Sequence, residues 1–372
     1  MRVLHVITGL APGGAEHQLR LLLRRLPHDC EVVTLSNPGA VAAAIRADGT
    51  TVHELTMSSN RDVSAVVKLR RLIHDGRFDL VHTHLYRACV HGRVAARLAG
   101  VPAVATEHSL GDGVIEGRRT SPAVRALYLA TERAGRVTIA VSGTVAARLR
   151  AWGVPARRIS VIPNGIDAAE FRYDPLRRAA ARARYGIARD AVVVGGVGRL
   201  EPGKRFDHLI WALTQVPGAT LLLVGDGSAR RSLAEQAHRQ GVGGRVVFTG
   251  AVGHVRDLLC AMDVFVSPSA HETFGLAVLE ALACGLPALY AVCPPLEESR
   301  DESARRLSRD PESLPRALRA ELAGLCERGG ARRPVPAIVG RYDIARLAES
   351  VGRLYDRIVP APERAESKGT PR

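Results

Sequence analysis

The sequence is poor in aromatic residues, in paired cysteines and in long apolar runs, and each shortage excludes a class of protein. Aromatic residues make up 4% of the 372 residues. The arginines form neither a basic run nor a stripe with interleaved aromatics, so we expect no nucleic-acid partner. The six cysteines lack the paired spacing of a metal site or a disulfide framework. No stretch reaches the length of a membrane span, which argues against an integral membrane protein.

The start of the chain and its cysteines indicate a location. Met1 leads almost directly into an apolar stretch, without the charged and apolar regions of a secretory leader. Cysteines without partners fit a reducing compartment. We therefore expect a cytoplasmic protein, either free or peripheral at the inner face of the membrane.

The chain is long and carries a large positive net charge. A chain of this length exceeds one typical core and predicts two domains. The net charge of +15 favours anionic partners such as nucleotides, phosphorylated substrates or an anionic membrane surface. Residues 360–372 lack an apolar period and are predicted to be a disordered tail.

Short apolar runs alternate with helical patterns along the whole chain. This alternation predicts an α/β fold with a doubly wound parallel sheet in each half. An arginine-rich stretch after VIPNGID, without a clear apolar face, is interpreted as the linker between the halves. The predicted strands are Val3 to Ile7, Glu31 to Leu35, Val52 to Leu55, Leu80 to His82, Val104 to Thr106, Thr138 to Val141 and Ile159 to Ile162, then Val192 to Gly196, Thr220 to Val224, Val246 to Phe248, Val264 to Val266 and Ala288 to Tyr290.

Polar side chains cluster where the strands of the first half end. Ligands of parallel sheets gather at the carboxyl ends of the strands, which makes these residues candidates, with His108 foremost. A hydrogen bond at the strand end is the alternative for each histidine. His82 and His84 as a metal pair lack a third nearby ligand in the sequence. The candidates are His82, His84, Glu107, His108 and Ser142.

Two glycine-rich loops follow predicted strands. In the first, Gly13 and Gly14 do not form the G-x-G-x-x-G spacing of a dinucleotide site, which leaves a loop that a ligand can approach or a simple tight turn. In the second, the G-x-x-x-x-G-K string ending at Lys204 is followed by Arg205 instead of Ser or Thr, which argues against a nucleoside triphosphatase. Arg199 and Lys204 suit a diphosphate held without a metal, and a solvated basic loop is the alternative.

The stretch from Ser267 to Ala288 places two carboxylates on either side of a predicted helix start. Glu280 is the only charged residue of an otherwise apolar helix, so its charge needs a partner. Unpaired N–H groups at the helix start, at Phe274, Gly275 and Leu276, suit an anion such as a phosphate. A solvated helix face with Glu272 as a capping residue explains the same pattern.

With these motifs in order, the sequence resembles the retaining glycosyltransferases of family four, which have the two-domain GT-B fold. The resemblance is carried by GGAEHQL, EHS, VIPNGID, GVGRLEPGKRFDHLI, LLLVGDG, FTGAV and HETFGLAVLEALACGLP, the last with the E-x7-E pattern of the family. RYDIARLAESVGRLYDRI resembles the closing helix of the family. The implied organisation is an N-terminal acceptor-side domain (1–170), a linker (171–190), a nucleotide-sugar-binding domain (191–340) and the closing helix (341–359).

Carried over position by position, the resemblance implies a donor site shared by both domains. Arg199 and Lys204 would bind the diphosphate, Glu280 the ribose hydroxyls and Glu272 the donor sugar, with His108 reaching that sugar from the other domain. Further donor contacts are implied at Gly13, Gly14, Val252, Phe274, Gly275 and Leu276, where Val252 would meet the nucleobase through its backbone.

The implied activity is that of a hexosyltransferase using a UDP- or GDP-linked sugar, with retention at the anomeric carbon and without a metal or other cofactor. The acceptor stays open between a lipid-linked saccharide, a polysaccharide and a small molecule. The segment AVCPPLEESRDESARRL departs from the family pattern, and the loop with Asp112, Glu116, Arg118 and Arg119 is the predicted acceptor-specific region. A GT-B-fold nucleotide-sugar 2-epimerase and a non-catalytic nucleotide-sugar binder are the alternatives.

Overall fold

A computed structural model describes residues 1–59, 62–111, 114–115, 118–308, 310 and 312–360. The predicted tail beyond residue 360 therefore lies outside the described residues. So do Asp112 and Glu116 of the predicted acceptor-specific loop.

The first half of the chain forms a seven-stranded parallel sheet within the described residues, with the strand order β10-β9-β5-β4-β1-β2-β3. Three two-residue strands, β6 to β8, form a small antiparallel sheet beside it. The strands are β1 (Arg2–Ile7), β2 (Asp29–Thr34), β3 (Val52–Glu54), β4 (Leu80–His84), β5 (Ala103–Glu107), β6 (Leu110–Gly111), β7 (Val114–Ile115), β8 (Arg118–Arg119), β9 (Val137–Ala140) and β10 (Ile159–Val161).

Helices cover both faces of this sheet. The central strands are buried along almost their whole length, as expected for a parallel sheet that is covered on both faces. The first helix buries Leu19 and Leu22 against the core. The helices are α1 (Gly14–Leu23), α2 (Gly39–Ala47), α3 (Val63–Asp75), α4 (Tyr86–Leu98), α5 (Pro122–Glu132) and α6 (Gly143–Trp152).

The second half repeats the architecture with a six-stranded parallel sheet, again within the described residues, in the order β13-β12-β11-β14-β15-β16. Its strands are β11 (Val192–Val197), β12 (Ala219–Val224), β13 (Val246–Phe248), β14 (Val264–Ser267), β15 (Ala288–Tyr290) and β16 (Arg305–Arg306). Its helices are α7 (Pro175–Arg184), α8 (Phe206–Thr214), α9 (Arg230–Arg239), α10 (Val255–Ala261), α11 (Leu276–Ala283), α12 (Pro294–Ser299), α13 (Ser313–Glu327) and α14 (Ala337–Arg341).

The chain crosses between the two halves at two neighbouring points. Ile166 N–H donates to the carbonyl of Tyr342 (2.8 Å), and Ile344 N–H donates to the carbonyl of Ile166 (3.0 Å). Beyond this crossing, α15 (Ile344–Ile358) packs back on α1 of the first half. Its buried face includes Val351 and Tyr355, which join the core beneath the first sheet.

The prediction of two doubly wound parallel sheets is confirmed. Three details differ. The strand β4 extends to His84, so His82 and His84 lie inside a strand and not after it. A sixth strand at Arg305–Arg306 was not predicted, because two exposed arginines give no apolar signal. The arginine-rich stretch contains the regular helix α7, which packs on α10.

Candidate functional site

Two glycine-rich turns place the loop that carries Arg199 and Lys204, after β11, against the turn that follows the neighbouring strand β12. Backbone bonds join them, because Leu200 N–H donates to the carbonyl of Asp226 (2.9 Å). Gly225 has φ +132°, and a Cβ atom there would lie 2.0 Å from the carbonyl oxygen of Gly198. Only glycine permits this approach, so close backbone contacts help to hold the loop that carries the two predicted cations.

Of the two predicted cations, one is paired and one is exposed. Lys204 ends a turn of 3-10 helix, and its Nζ lies 2.5 Å from Oε1 of Glu272. Both side chains of this ion pair are only partly exposed. The Arg199 side chain is exposed and has no ion-pair or hydrogen-bond partner among the described residues.

Helix α11 begins beside this ion pair with open donors. Gly275 precedes the helix with φ +97°, in the left-handed region that favours glycine. Within the described part of the chain, the N–H groups of Phe274, Gly275 and Leu276 have no hydrogen-bond acceptor. A helix start with open N–H groups next to a lysine is suited to bind an anion.

Glu280 lies one turn further along α11, and its side chain is half-buried. Burial raises its pKa to about 7, and the negative charge of Glu170 contributes. Among the residues that the structure describes, none forms a hydrogen bond or ion pair with its side chain. An acid in such a place is stabilised only when a ligand supplies donors to it.

The first turn of α1 meets the first turn of α11 across the two halves. A Cβ atom on Gly14 would lie 3.6 Å from Cδ1 of Leu276. Gly13 precedes α1 in an extended conformation. The structure thus brings the first glycine-rich loop to the predicted donor site.

His108 also reaches the second half, through its backbone. Thr273 Oγ1 donates to the carbonyl of His108 (2.7 Å), and Ser142 Oγ donates to the carbonyl of Thr273 (2.8 Å). The imidazole of His108 is buried, and burial lowers its pKa to about 4, so it is neutral at physiological pH. Its Nδ1 is buried without a partner in the described chain.

Sequence reasoning missed one contact between the halves. The carboxylate of Glu298, in α12, accepts from Gly143 N–H (3.1 Å) and Thr144 N–H (2.9 Å) at the start of α6. The segment that departs from the family pattern therefore provides a negative charge at a helix start of the other half, which stabilises that helix end. The acidic run ESRDES was the available signal, but nothing in the sequence pointed to its partner.

A third histidine joins the pair that lacked one in the sequence. His5 pairs in register with His82, on neighbouring parallel strands. Nitrogen atoms of His5, His82 and His84 lie within 4.8 Å of one another, a donor set that can hold a metal ion. Both nitrogens of His82 already have partners, namely Tyr355 Oη (2.5 Å) and Thr106 Oγ1 (2.7 Å).

The remaining predicted residues are placed as follows. Val252 lies partly buried in the loop after β13, and Glu107 lies fully buried inside β5. Arg119 is exposed in β8, next to Arg118. The structure thus brings Gly13, Gly14, His108, Lys204, Glu272, Phe274, Gly275, Leu276 and Glu280 to one region between the two sheets, and their roles stay predictions.

Comparison with known proteins agrees with this geometry. A sequence profile described as Glycosyltransferase Family 4 matches residues 12–170, and one described as Glycosyl transferases group 1 matches residues 191–327. The D-inositol 3-phosphate glycosyltransferase of Geodermatophilus obscurus is 31% identical, over 91% of this chain and 82% of its own length. The fold and these matches define the class as the glycosyltransferases. Within that class, the chain belongs to glycosyltransferase family 4.

Other relatives are matched over less of their length. The D-inositol 3-phosphate glycosyltransferase of Mycobacteroides abscessus is 31% identical, over 61% of this chain and 54% of its own length. This chain thus matches about half the length of that relative.

Solved structures show the same fold. HepE of Anabaena in complex with UDP-glucose has a TM-score of 0.85 at 24% identity, over 96% of this chain and 100% of that one. A UDP-GlcNAc 2-epimerase from Neisseria meningitidis bound to UDP-GlcNAc has a TM-score of 0.65 at 13% identity, over 95% and 99% of the chains. At these identities the likeness defines the fold alone, which is GT-B as predicted. No helix in the described ranges is both long and apolar enough to cross a membrane.

Proposed function

We propose that this protein transfers a sugar from a nucleotide-sugar donor to a hydroxyl group of an acceptor, with retention at the anomeric carbon and without a metal. One observation carries the proposal most directly. Glu280 is a half-buried carboxyl whose pKa is raised to about 7, with no partner within the described residues, and it lies beside a helix start with open donors. Two ribose hydroxyls would donate to it and stabilise its ionised form.

The diphosphate of the donor would lie at the start of α11. The open N–H groups there, with Lys204 and Arg199 nearby, would neutralise its charge in the place that a metal takes elsewhere. Lys204 is bound to Glu272 in this structure. Binding of the diphosphate would therefore draw Lys204 towards the phosphates and leave Glu272 to accept from hydroxyls of the sugar.

Transfer would take place on the sugar between Glu272 and His108. The bond between the anomeric carbon and the phosphate oxygen breaks, and the acceptor oxygen bonds to the same face of that carbon. The acceptor proton passes to the leaving diphosphate, which acts as the base. Stabilisation of the charge on the leaving group and positioning of both substrates account for catalysis.

The comparisons suggest which substrates to try first. HepE binds UDP-glucose, which supports UDP-linked sugars as the first donors, before GDP- and dTDP-linked ones. The relatives named D-inositol 3-phosphate glycosyltransferase support a small phosphorylated polyol as one acceptor, beside lipid-linked saccharides and polysaccharides. The net charge of +15 suits any of the anionic members of this set.

The test combines donor binding with transfer. UDP-, GDP- and dTDP-sugars are titrated into the protein by calorimetry in the presence of EDTA, and transfer is followed with inositol 3-phosphate and with lipid-linked acceptors. Lys204→Ala and Glu280→Ala are expected to abolish transfer and to weaken donor binding about tenfold to a hundredfold, the value of a hydrogen bond to a charged group. Lys68→Ala, on the exposed face of α3, is the matched control.

Three outcomes would contradict the proposal. Wild-type rates in both variants would remove the assigned roles, and donor binding that requires a divalent cation would remove the metal-free site. Conversion of the donor to its 2-epimer without an acceptor would favour an epimerase, the activity named for one neighbour of the same fold.

A further inference from the structure

Three buried imidazoles form a continuous chain beneath the candidate site. Nδ1 of His5 lies 3.0 Å from Nε2 of His84, and Nδ1 of His84 lies 3.2 Å from Nε2 of His108. The three residues belong to the neighbouring strands β1, β4 and β5, with His108 directly after the last. The sheet therefore holds the rings in a row that leads from the core to the region between the two halves.

All three rings are neutral at physiological pH. Burial lowers the pKa of His5 to about 3 and that of His108 to about 4, with the charge of His28 adding to the effect at His5. Burial also holds the pKa of His84 well below its usual value. Each ring therefore carries one proton, on one of its two nitrogens.

With one proton on each ring and a hydrogen bond between each neighbouring pair of rings, two combinations of tautomers are possible. If His84 carries its proton on Nε2, it donates to His5, His108 donates to His84 through Nε2–H, and the unused proton lies on Nε2 of His5. If His84 carries its proton on Nδ1, it donates to His108 and accepts from Nδ1–H of His5. The unused proton then lies on Nδ1 of His108.

The two ends of the chain decide between these arrangements. Nε2 of His5 and Nδ1 of His108 are both buried without a partner among the described residues. The first arrangement leaves a stranded N–H group in the core, which proteins rarely tolerate, whereas the second leaves a stranded acceptor there. The second also places the open N–H group on His108, the end of the chain that borders the second half through Thr273.

We propose that His5 and His84 are positioning residues that fix His108 as the Nδ1–H tautomer and so make it a hydrogen-bond donor to an oxygen of the transferred sugar. The tautomer of His108 is inferred from the hydrogen bonds among the three imidazoles and does not depend on the proposed function. Its use on the sugar rests on the proposed function.

A metal site is the competing use of the same side chains. An ion held by His5, His82 and His84 would need lone pairs that already serve the chain of imidazoles or the bonds of His82 to Tyr355 and Thr106. Because the nitrogens of His82 and His84 already take part in hydrogen bonds, the arrangement of the three imidazoles, here called the tautomer relay, is favoured over a metal site.

The first measurement reads the tautomer directly. Long-range proton–nitrogen spectra of the protein with nitrogen-15 in its histidines distinguish Nδ1–H from Nε2–H, and His108→Gln assigns the resonance. We expect Nδ1–H for His108 in the protein without substrate. His91→Gln, which removes a buried histidine of α4 outside the relay, is the control and is expected to leave the His108 signals unchanged.

The second measurement tests the transmission. His5→Met replaces the donor Nδ1–H by a thioether that can only accept, so His84 is expected to carry its proton on Nε2 and His108 to change to Nε2–H. His5→Asn supplies an amide N–H in place of Nδ1–H and is expected to retain the wild-type tautomer. The transfer rate is expected to fall about tenfold in His5→Met and to recover in His5→Asn, with UDP affinity unchanged in both.

These readouts separate the two proposals. An Nε2–H tautomer of His108 in the wild-type protein would overturn the relay, whatever the activity. A stoichiometric shift of the His5, His82 and His84 resonances on addition of zinc would also overturn it, in favour of a metal site. The expected tautomers without any transfer by the wild-type protein would support the relay and count against the proposed function alone.

Discussion

Glu280 and Arg182 show two ways in which this protein carries a charged side chain away from water. Arg182 is fully buried and its donors are saturated. Glu280 has no partner within the described chain and has a raised pKa instead. The first arrangement stabilises the fold. The second arrangement destabilises the protein without ligand, and ligand binding offsets this destabilisation.

Glu280→Gln is expected to stabilise the protein without ligand at pH 8 and not at pH 4. The pKa of Glu280 is raised from its usual 4.5 to about 7, so the folded state retains a proton that the unfolded state releases between these values. The penalty is absent below pH 4.5 and complete above pH 7. At pH 8 we expect a gain on the order of 2 kcal/mol, read as a higher midpoint of thermal unfolding.

Glu302→Ala, which changes an exposed carboxylate, is the control for this pH dependence. The variant at position 280 is expected to lose donor affinity at the same time, because an amide accepts more weakly than a carboxylate. A stabilisation that is equal at pH 4 and pH 8 would contradict the assigned pKa.

At the scale of elements, helix α7 shows how a helix without an apolar face packs. Its fully buried charged residue is Arg182. The guanidinium of Arg182 donates hydrogen bonds to backbone carbonyl groups, and these bonds take the place of an apolar stripe. The acceptors are the carbonyls of Ala188, Arg189, Ala191 and Ala261 and the carboxylate of Asp263.

Arg182→Met is expected to lower the stability of the fold by about 3 kcal/mol, since it leaves buried carbonyls without donors. Arg182→Lys is expected to restore little of it, because an ammonium group cannot reach acceptors spread over a planar fork. Arg184→Ala, on the exposed side of the same helix, is the matched control in thermal unfolding. Equal midpoints for the variants at 182 and 184 would contradict this account.

What the sequence predicted at this scale depended on signals local to an element. Apolar runs predicted where most strands lie along the chain, and the start of the helix with Glu280 was predicted at Phe274 to Leu276, where α11 begins. The pairing of His5 with His82 was out of reach, since it is set by the register of two strands far apart in sequence. The burial of α7 was missed for a related reason. It depends on backbone carbonyls of distant segments, and the sequence does not indicate that these carbonyls lie near the helix.

Within the described residues, two sets of polar contacts join the halves beside the candidate site. Ser142 and Thr273 form one set, and Glu298 with the start of α6 forms the other. Polar contacts at this place suit two domains that close on a ligand and reopen to release it.

Glu298→Ala is expected to weaken donor binding about fivefold, because it removes an anion from a helix start only where the halves are close. Calorimetry with a nucleotide-sugar that binds in the titrations described above measures the change, and Glu302→Ala from the same acidic segment is the control. An unchanged affinity would mean that the contact does not distinguish closed from open arrangements. Small-angle scattering without ligand is expected to show a larger radius of gyration for the variant.

The paired crossing at Ile166 and Ile344 has a consequence for engineering. Everything from residue 167 to residue 342 leaves and re-enters the rest of the protein through two adjacent backbone positions, joined by hydrogen bonds of 2.8 and 3.0 Å. The second half is therefore a segment whose two ends lie side by side. If the proposed function holds, exchanging this segment between relatives at these two positions is expected to exchange donor preference in one step and to leave acceptor preference unchanged.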